Sequence, residues 1–185
     1  MKYTKFLLYA LVAISFVEGA SKNETWTSSV GSKIDGFYIG TTGLRHWIVC
    51  STGRLFKLKE SELSKESIER IYKIKKQELR DSEYIKRSSL IPLESTHENE
   101  VLITTLCSVK VPRISFNGVP VSSALKSLNE IAGTDISFKL EAGVEDQKSD
   151  FSVRNLYMIR ILDILTQQAR SYYRVEDGEI VIRKE

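Results

Sequence analysis

Chemistry-bearing residues are scarce in this chain, and each scarcity removes a class of function. It holds 2 cysteines and 2 histidines in 185 residues. His46 and His97, with Cys50 and Cys107, make no spacing typical of a zinc site, so no metal is expected. No phosphate-cradling glycine loop, nucleophile elbow or carboxylate pair in a motif occurs, so neither a catalytic residue nor a cofactor is expected. A net charge of +3 is too small to argue for nucleic acid, which calls for a clustered basic face. Only 3 prolines and 10 glycines stand among 42% hydrophobic and 28% charged residues, a globular composition with room for one ordinary domain or two small ones. After the first twenty residues no stretch looks membrane-spanning.

Residues 1–19 read as a secretory signal. Lys2 and Lys5 precede the apolar run Phe6–Val17, and Val17-Glu18-Gly19 offers a cleavage site, so the exported chain is expected to start at Ala20 or Ser21. The run is shorter than the ~20 residues that span a bilayer. The expected location is periplasmic or secreted, with no stable membrane span after cleavage.

Residues 24–80 predict a small β unit and a helix. Ile34–Ile39, Leu44–Cys50 and Leu55–Leu58 are β-branched and aromatic runs separated by glycine turns, which suggests a small curled sheet or barrel. Leu44, His46, Ile48 and Cys50 share one face of their strand, with Trp47 and Val49 on the other. Ser64 is a plausible N-cap for a helix over Lys65–Arg80. Residues 81–110 read as a linker that contains a strand-like run, Val101–Val109, which is uncharged and β-forming and needs a pairing partner. In an exported protein Cys50 and Cys107 permit one disulfide; two buried free thiols are the alternative.

The strongest signal is a duplication. Ser115–Phe138 aligns without a gap on Ser152–Val175, an offset of 37 residues. Val119, Val121, Ala124, Leu125, Leu128 and Ala132 fall on Leu156, Met158, Ile161, Leu162, Leu165 and Ala169. Each copy reads strand–helix–strand, and the first helix carries an apolar stripe of Val121, Ala124, Leu125, Leu128, Ile131 and Ala132. The expected fold class is α+β, with two βαβ units sharing one sheet and both helices on one face.

Two resemblances add to this. Ile114–Phe138 (ISFNGVPVSSALKSLNEIAGTDISF), the second copy and the closing hairpin ending Glu179–Ile182 resemble the STN domain, the short N-terminal domain of secretins and TonB-dependent receptors. The likeness covers residues 111–184 and implies an STN-like domain over 111–185 that docks on other envelope components. Leu156-Tyr157 departs from it, because the family often has a small turn residue and proline there. Residues 24–66, through Trp26-Thr27, Gly31, Phe37–Ile39, Ile48–Cys50, Phe56-Lys57-Leu58 and Leu63-Ser64-Lys65-Glu66, resemble the Sla homology domain, which implies an SH3-like barrel.

Remaining motifs are weak. Ser123 and Lys126 match an S-x-x-K pattern, but on an amphipathic helix and without its companion motifs. Asp135, Glu141, Glu145, Asp146 and Asp150 flank the turn between the copies and read as a solvated loop rather than a calcium site. The functional expectation is an exported, non-enzymatic interaction or assembly module with envelope proteins as partners and no nucleic acid, an accessory of a secretin or pilus-type system in its finer form. The alternative is an envelope hydrolase with an unrecognised site. The expected docking edge is the last strand, at Ile180, Val181 and Ile182, whose flanking Glu179, Arg183 and Lys184 discourage self-pairing.

Overall fold

The computed structural model describes residues 23–78, 90–92 and 94–185. The expected signal segment, the end of the first expected helix and residues 81–89 of the expected linker lie outside them. The class is α+β, with four α-helices and nine strands among the described residues.

Strands β1 (Asn23–Thr27), β2 (Lys33–Thr42), β3 (Arg45–Cys50) and β4 (Leu55–Lys59) pair antiparallel in chain order. The expected barrel does not close, since β1 and β4 do not pair and a single bridge, Ser28 to Leu63, joins their ends. The reason is that both faces of the sheet are covered from outside, so it need not curl to bury one. On one face His46 and Ile48 are buried beside Trp26, Tyr38, Leu63 and Ile71, the last of these from α1 (Lys65–Glu78). On the other, Trp47 and Val49 join the main core. Leu44, expected on the His46 face, stands in the β2–β3 turn with 85% of its surface exposed.

The expected strand at Val101–Val109 is instead the body of a helix, α2 (His97–Ser108). Thr96 caps it by accepting from the Asn99 amide at 3.2 Å, and Glu98 and Glu100 complement the dipole of the first turn. Thr104 and Thr105 donate their hydroxyls back to the Val101 carbonyl at 2.8 and 2.9 Å, so they need no partner outside the helix. Leu102, Ile103, Leu106 and Cys107 are buried at helical spacing. Tertiary burial therefore overrides the β propensity of the run.

The duplicated part follows as β5 (Lys110–Pro120), α3 (Val121–Ala132), β6 (Phe138–Leu140), β7 (Lys148–Tyr157), α4 (Met158–Gln168), β8 (Ser171–Glu176) and β9 (Glu179–Lys184). Both helices start at the same point of the repeat, Val121 and Met158. The backbone repeats in detail. Gly118 and Asn155 are left-handed at φ 62 and 53, and so are Gly133 and Arg170 at φ 65 and 46, each pair at the offset of 37. In the antiparallel ladder of β5 and β7, Ser115 stands opposite Ser152, its own repeat equivalent. A residue paired with its equivalent marks a pseudo-two-fold axis, here through the centre of the ribbon.

That symmetry corrects the single-sheet expectation. The two opening strands pair with each other as a two-stranded ribbon, while the closing strands lie in a separate sheet of order β6-β9-β8. β9 inserts between them, parallel to β6 and antiparallel to β8. Val121, Ala124, Leu125 and Leu128 of α3 and Met158, Ile161, Leu162 and Leu165 of α4 fill the core with Ile114 and Phe116 of β5 and Tyr173, Val175, Ile180 and Ile182 of the second sheet. Burying each large side chain stabilises by about 1.5–3 kcal/mol. Helix α2 contributes to the same core, which also takes in Phe37, Ile39, Trp47 and Val49 of the first sheet. Polar ties reinforce the contact. Lys57 Nζ binds Glu100 and, at 2.6 Å, Ser95, and the buried Asn99 side chain accepts from the Gly178 amide at 2.7 Å.

Candidate partner-binding edge

The expected docking strand is not an edge. β9 is the central strand of its sheet, and Ile180, Val181 and Ile182 are buried, with Val181 the most exposed of the three at 8%. The hairpin with β8 occupies one side of β9, and β6 returns to take the other, a long-range pairing with no local sequence signal.

Most other edges are closed by side chains. On β1 the Thr27 amide donates to Ser67 Oγ at 2.8 Å, the Ser67 hydroxyl lies 3.1 Å from the Thr27 carbonyl, and Arg70 donates to the Thr25 carbonyl at 2.7 Å. On β4 Arg45 donates to the Lys57 carbonyl at 3.0 Å, and the Lys59 amide donates to Glu62 at 2.7 Å. β6 is only three residues long. β8 is six residues long and also has no strand on its outer side among the described residues; its last residue, Glu176, has its carboxylate clamped by both terminal guanidinium nitrogens of Arg183 at 2.6 and 2.8 Å. That clamp holds the Glu176 carboxyl below the usual carboxylate range. On β7 the Gln168 side chain accepts from the Asp150 amide and donates to the Asp150 carbonyl, both at 2.9 Å. This amide plug occupies both backbone groups of one residue, as a partner strand would.

The plug also reports which way the backbone faces. In an antiparallel ladder, residues alternate between exchanging both bonds with the partner strand and turning both groups away. Asp150 turns both groups to Gln168, so Ser152 and Arg154 turn theirs outward as well. Their opposite numbers, Ser115 and Arg113, do the same on β5. β5 is the longest strand, at eleven residues, and among the described residues no strand pairs with its outer side. Arg113, Ser115 and Asn117 are exposed along it. The repeat equivalent of Gln168 on this side is Ile131, which cannot cap a backbone and is 47% exposed. The apolar stripe expected on α3 thus loses its Ile131 end to the surface. Arg113, Arg154 and Gln168 were not singled out in the sequence, and Ile131 was read only as part of the core stripe, yet the repeat alignment carries the signal: Arg113 falls on Asp150 and Ile131 on Gln168.

The other candidate groups stay apart. His46 is buried, with Nδ1 2.9 Å from Thr41 Oγ1 and Nε2 3.6 Å from Glu60. Burial holds its pKa below the ordinary histidine value, with help from Lys75 and against Glu60. Tyr38 and Thr41 hydroxyls lie 2.7 Å apart and Tyr72 donates to Glu60 at 2.7 Å, so the imidazole belongs to a polar chain at the top of the first sheet. Cys50 and Cys107 are free thiols. The hydrogen bond from Thr52 lowers the pKa of the first, and burial pushes the second far up. Ser123 and Lys126 are both exposed on α3. Of the acidic turn residues, Glu141 accepts from the Lys184 amide at 2.8 Å. Among the described residues no three His, Cys, Asp or Glu side chains gather as metal ligands, and no helix is long and apolar enough to cross a membrane.

No family model and no curated protein matches the chain. Among solved structures it is similar to a candidate anti-sigma factor from Parabacteroides distasonis, with 15% identity and a TM-score of 0.36 over 83% of this chain. The chain spans about half, 51%, of that protein's length. At that score the likeness carries no argument about function.

Proposed function

We propose that this chain is a non-enzymatic protein-interaction module of the cell envelope that takes an extended segment of another envelope protein onto the outer edge of β5. One observation carries the reading: β5 presents outward-turned backbone at Arg113 and Ser115 with no strand beside it among the described residues, while β1, β4 and β7 carry side chains on theirs. Main-chain pairing along such an edge supplies affinity, and neighbouring side chains supply selectivity. Export rests on the signal expected at residues 1–19. A role beside a secretin or pilus-type machine is the finer form of the reading and rests on the STN resemblance alone.

The test is capture from envelope extract by the full exported chain, compared with Ser115→Pro. Proline at 115 removes an outward N–H that no β7 group uses, so the variant keeps its fold and loses the edge donor. A protein retained stoichiometrically by the wild type and lost by the variant is the expected result. Failure of the wild type to retain any protein, or turnover of an envelope substrate by the purified chain, overturns the proposal.

A further inference from the structure

We infer that the partner segment seated on β5 is acidic, with carboxylates over Arg113 and Arg154 and an apolar side chain over Ile131. This rests on the interaction reading above and names the chemistry of what binds there.

Three observations converge. Arg113 stands directly opposite Arg154 in the ladder, and both are exposed. Like charges facing each other across a strand pair are destabilising, and no ion pair offsets either one among the described residues. Lys110 lies on the same strand, its ammonium 5.8 Å from the Tyr157 ring centroid, so this end of the ribbon gathers three cations. Second, the two copies differ in chemistry at the edge itself. β7 has Asp150 and the Gln168 plug, whereas the equivalent place on β5 has Arg113 and the exposed Ile131. The pseudo-two-fold therefore presents one form of the edge plugged at a single residue and one form without the plug, and the unplugged one has a cation and an apolar neighbour at the equivalent place. Third, β5 contains no Asp or Glu. Pairing with β5 of a second copy would add the same cations from both chains with no carboxylate on either strand, which disfavours self-association.

Two synthetic peptides of equal length test this against the full chain, one alternating glutamate with valine and one alternating lysine with valine. The glutamate peptide is expected to bind at least about tenfold more tightly and to slow amide exchange at Ser115. The Arg113→Glu, Arg154→Glu double variant should reverse the order of the two peptides. Ile131→Gln, which rebuilds on β5 the plug that closes β7, should weaken glutamate-peptide binding about tenfold. Equal binding of the two peptides, or no effect of Ile131→Gln, overturns the inference. So does a dimer in sedimentation that Arg113→Glu strengthens, because a second copy would then be the occupant. If the wild type retains an envelope protein that Ser115→Pro loses, yet the glutamate peptide is not preferred, the acidic inference fails and the interaction reading survives. If neither protein nor peptide binds, both fail.

Discussion

Arg170 closes α4 at φ 46, where its repeat equivalent after α3 is Gly133 at φ 65. A left-handed conformation costs a non-glycine residue roughly 1–2 kcal/mol, and glycine adopts it freely. Arg170→Gly is therefore expected to stabilise by about 1 kcal/mol, and Gly133→Ala to destabilise by about as much, in urea melts at neutral pH. His46 makes a second residue-scale claim. Its pKa in the folded chain lies below the ordinary 6.5, chiefly through burial, with Lys75 acting in the same direction and Glu60 against it. The unfolded chain then binds the proton more readily, so stability falls as pH drops through the window below 6.5 and is regained as pH rises. His46→Asn keeps a polar atom for Thr41 and cannot titrate. Its stability should vary less with pH across that window than the wild type's, whatever the substitution costs overall. An unchanged pH slope would remove His46 as the source. At more acid pH Glu100 adds to the loss, since hydrogen bonds from Lys57 and Ser95 lower its pKa and protonation cancels them.

Among the elements, β9 decides whether the second sheet exists. Being central, it bonds to β6 and β8 together, so Val181→Pro breaks a ladder and does more than trim an edge. The expected cost is about 3 kcal/mol or more, seen as loss of cooperative melting, whereas Ser115→Pro on β5 melts close to wild type. Near-equal melting of the two variants would contradict the strand order. The helices make a parallel claim. Leu125, Leu162 and Leu165 are buried to within 2%, and each Leu→Ala change is expected to cost about 2–5 kcal/mol. The repeat was legible at this scale because an uninterrupted offset preserves helical phase, and both helices start where the alignment places them. The helix at residues 97–108 was not legible. Val101, Ile103, Thr104 and Thr105 have strand propensity, and only the Thr96 cap and burial on two neighbours select the helix.

For the whole molecule, α2 is the element that the first sheet and the duplicated part have in common. Leu102, Ile103, Leu106 and Cys107 lie in one core with Trp47 and Val49 on one side and Ile159 and Leu162 on the other. A fragment of residues 111–185 lacks that cover and should melt below a fragment of residues 94–185. The gap should be several kcal/mol, since Leu102, Ile103 and Leu106 would each contribute about 1.5–3 kcal/mol. Equal stability of the two fragments would show that α2 adds nothing to the repeat. The interaction reading belongs to this scale too, because an edge is open or closed only once every strand has found its neighbours.

Three of the four strands of the first sheet to within a few residues, the α+β class, the two repeat helices and most of the first one's apolar stripe were legible in the residues alone, because each follows from a local period of two or 3.6 and from a duplication that keeps that period. The sequence also held the clue to the edge, in the exchange of Arg113 for Asp150 and of Ile131 for Gln168 between copies. Which strands pair was settled by long-range contacts. The open meander where a barrel was expected, the split into a ribbon and a second sheet, and the burial of Ile180, Val181 and Ile182 in a central strand all depend on contacts between residues far apart in the chain. Local propensity is nearly the same for an edge strand and a central one. The difference lies in which partner closes the remaining hydrogen bonds, and that is settled when the chain collapses onto a shared core.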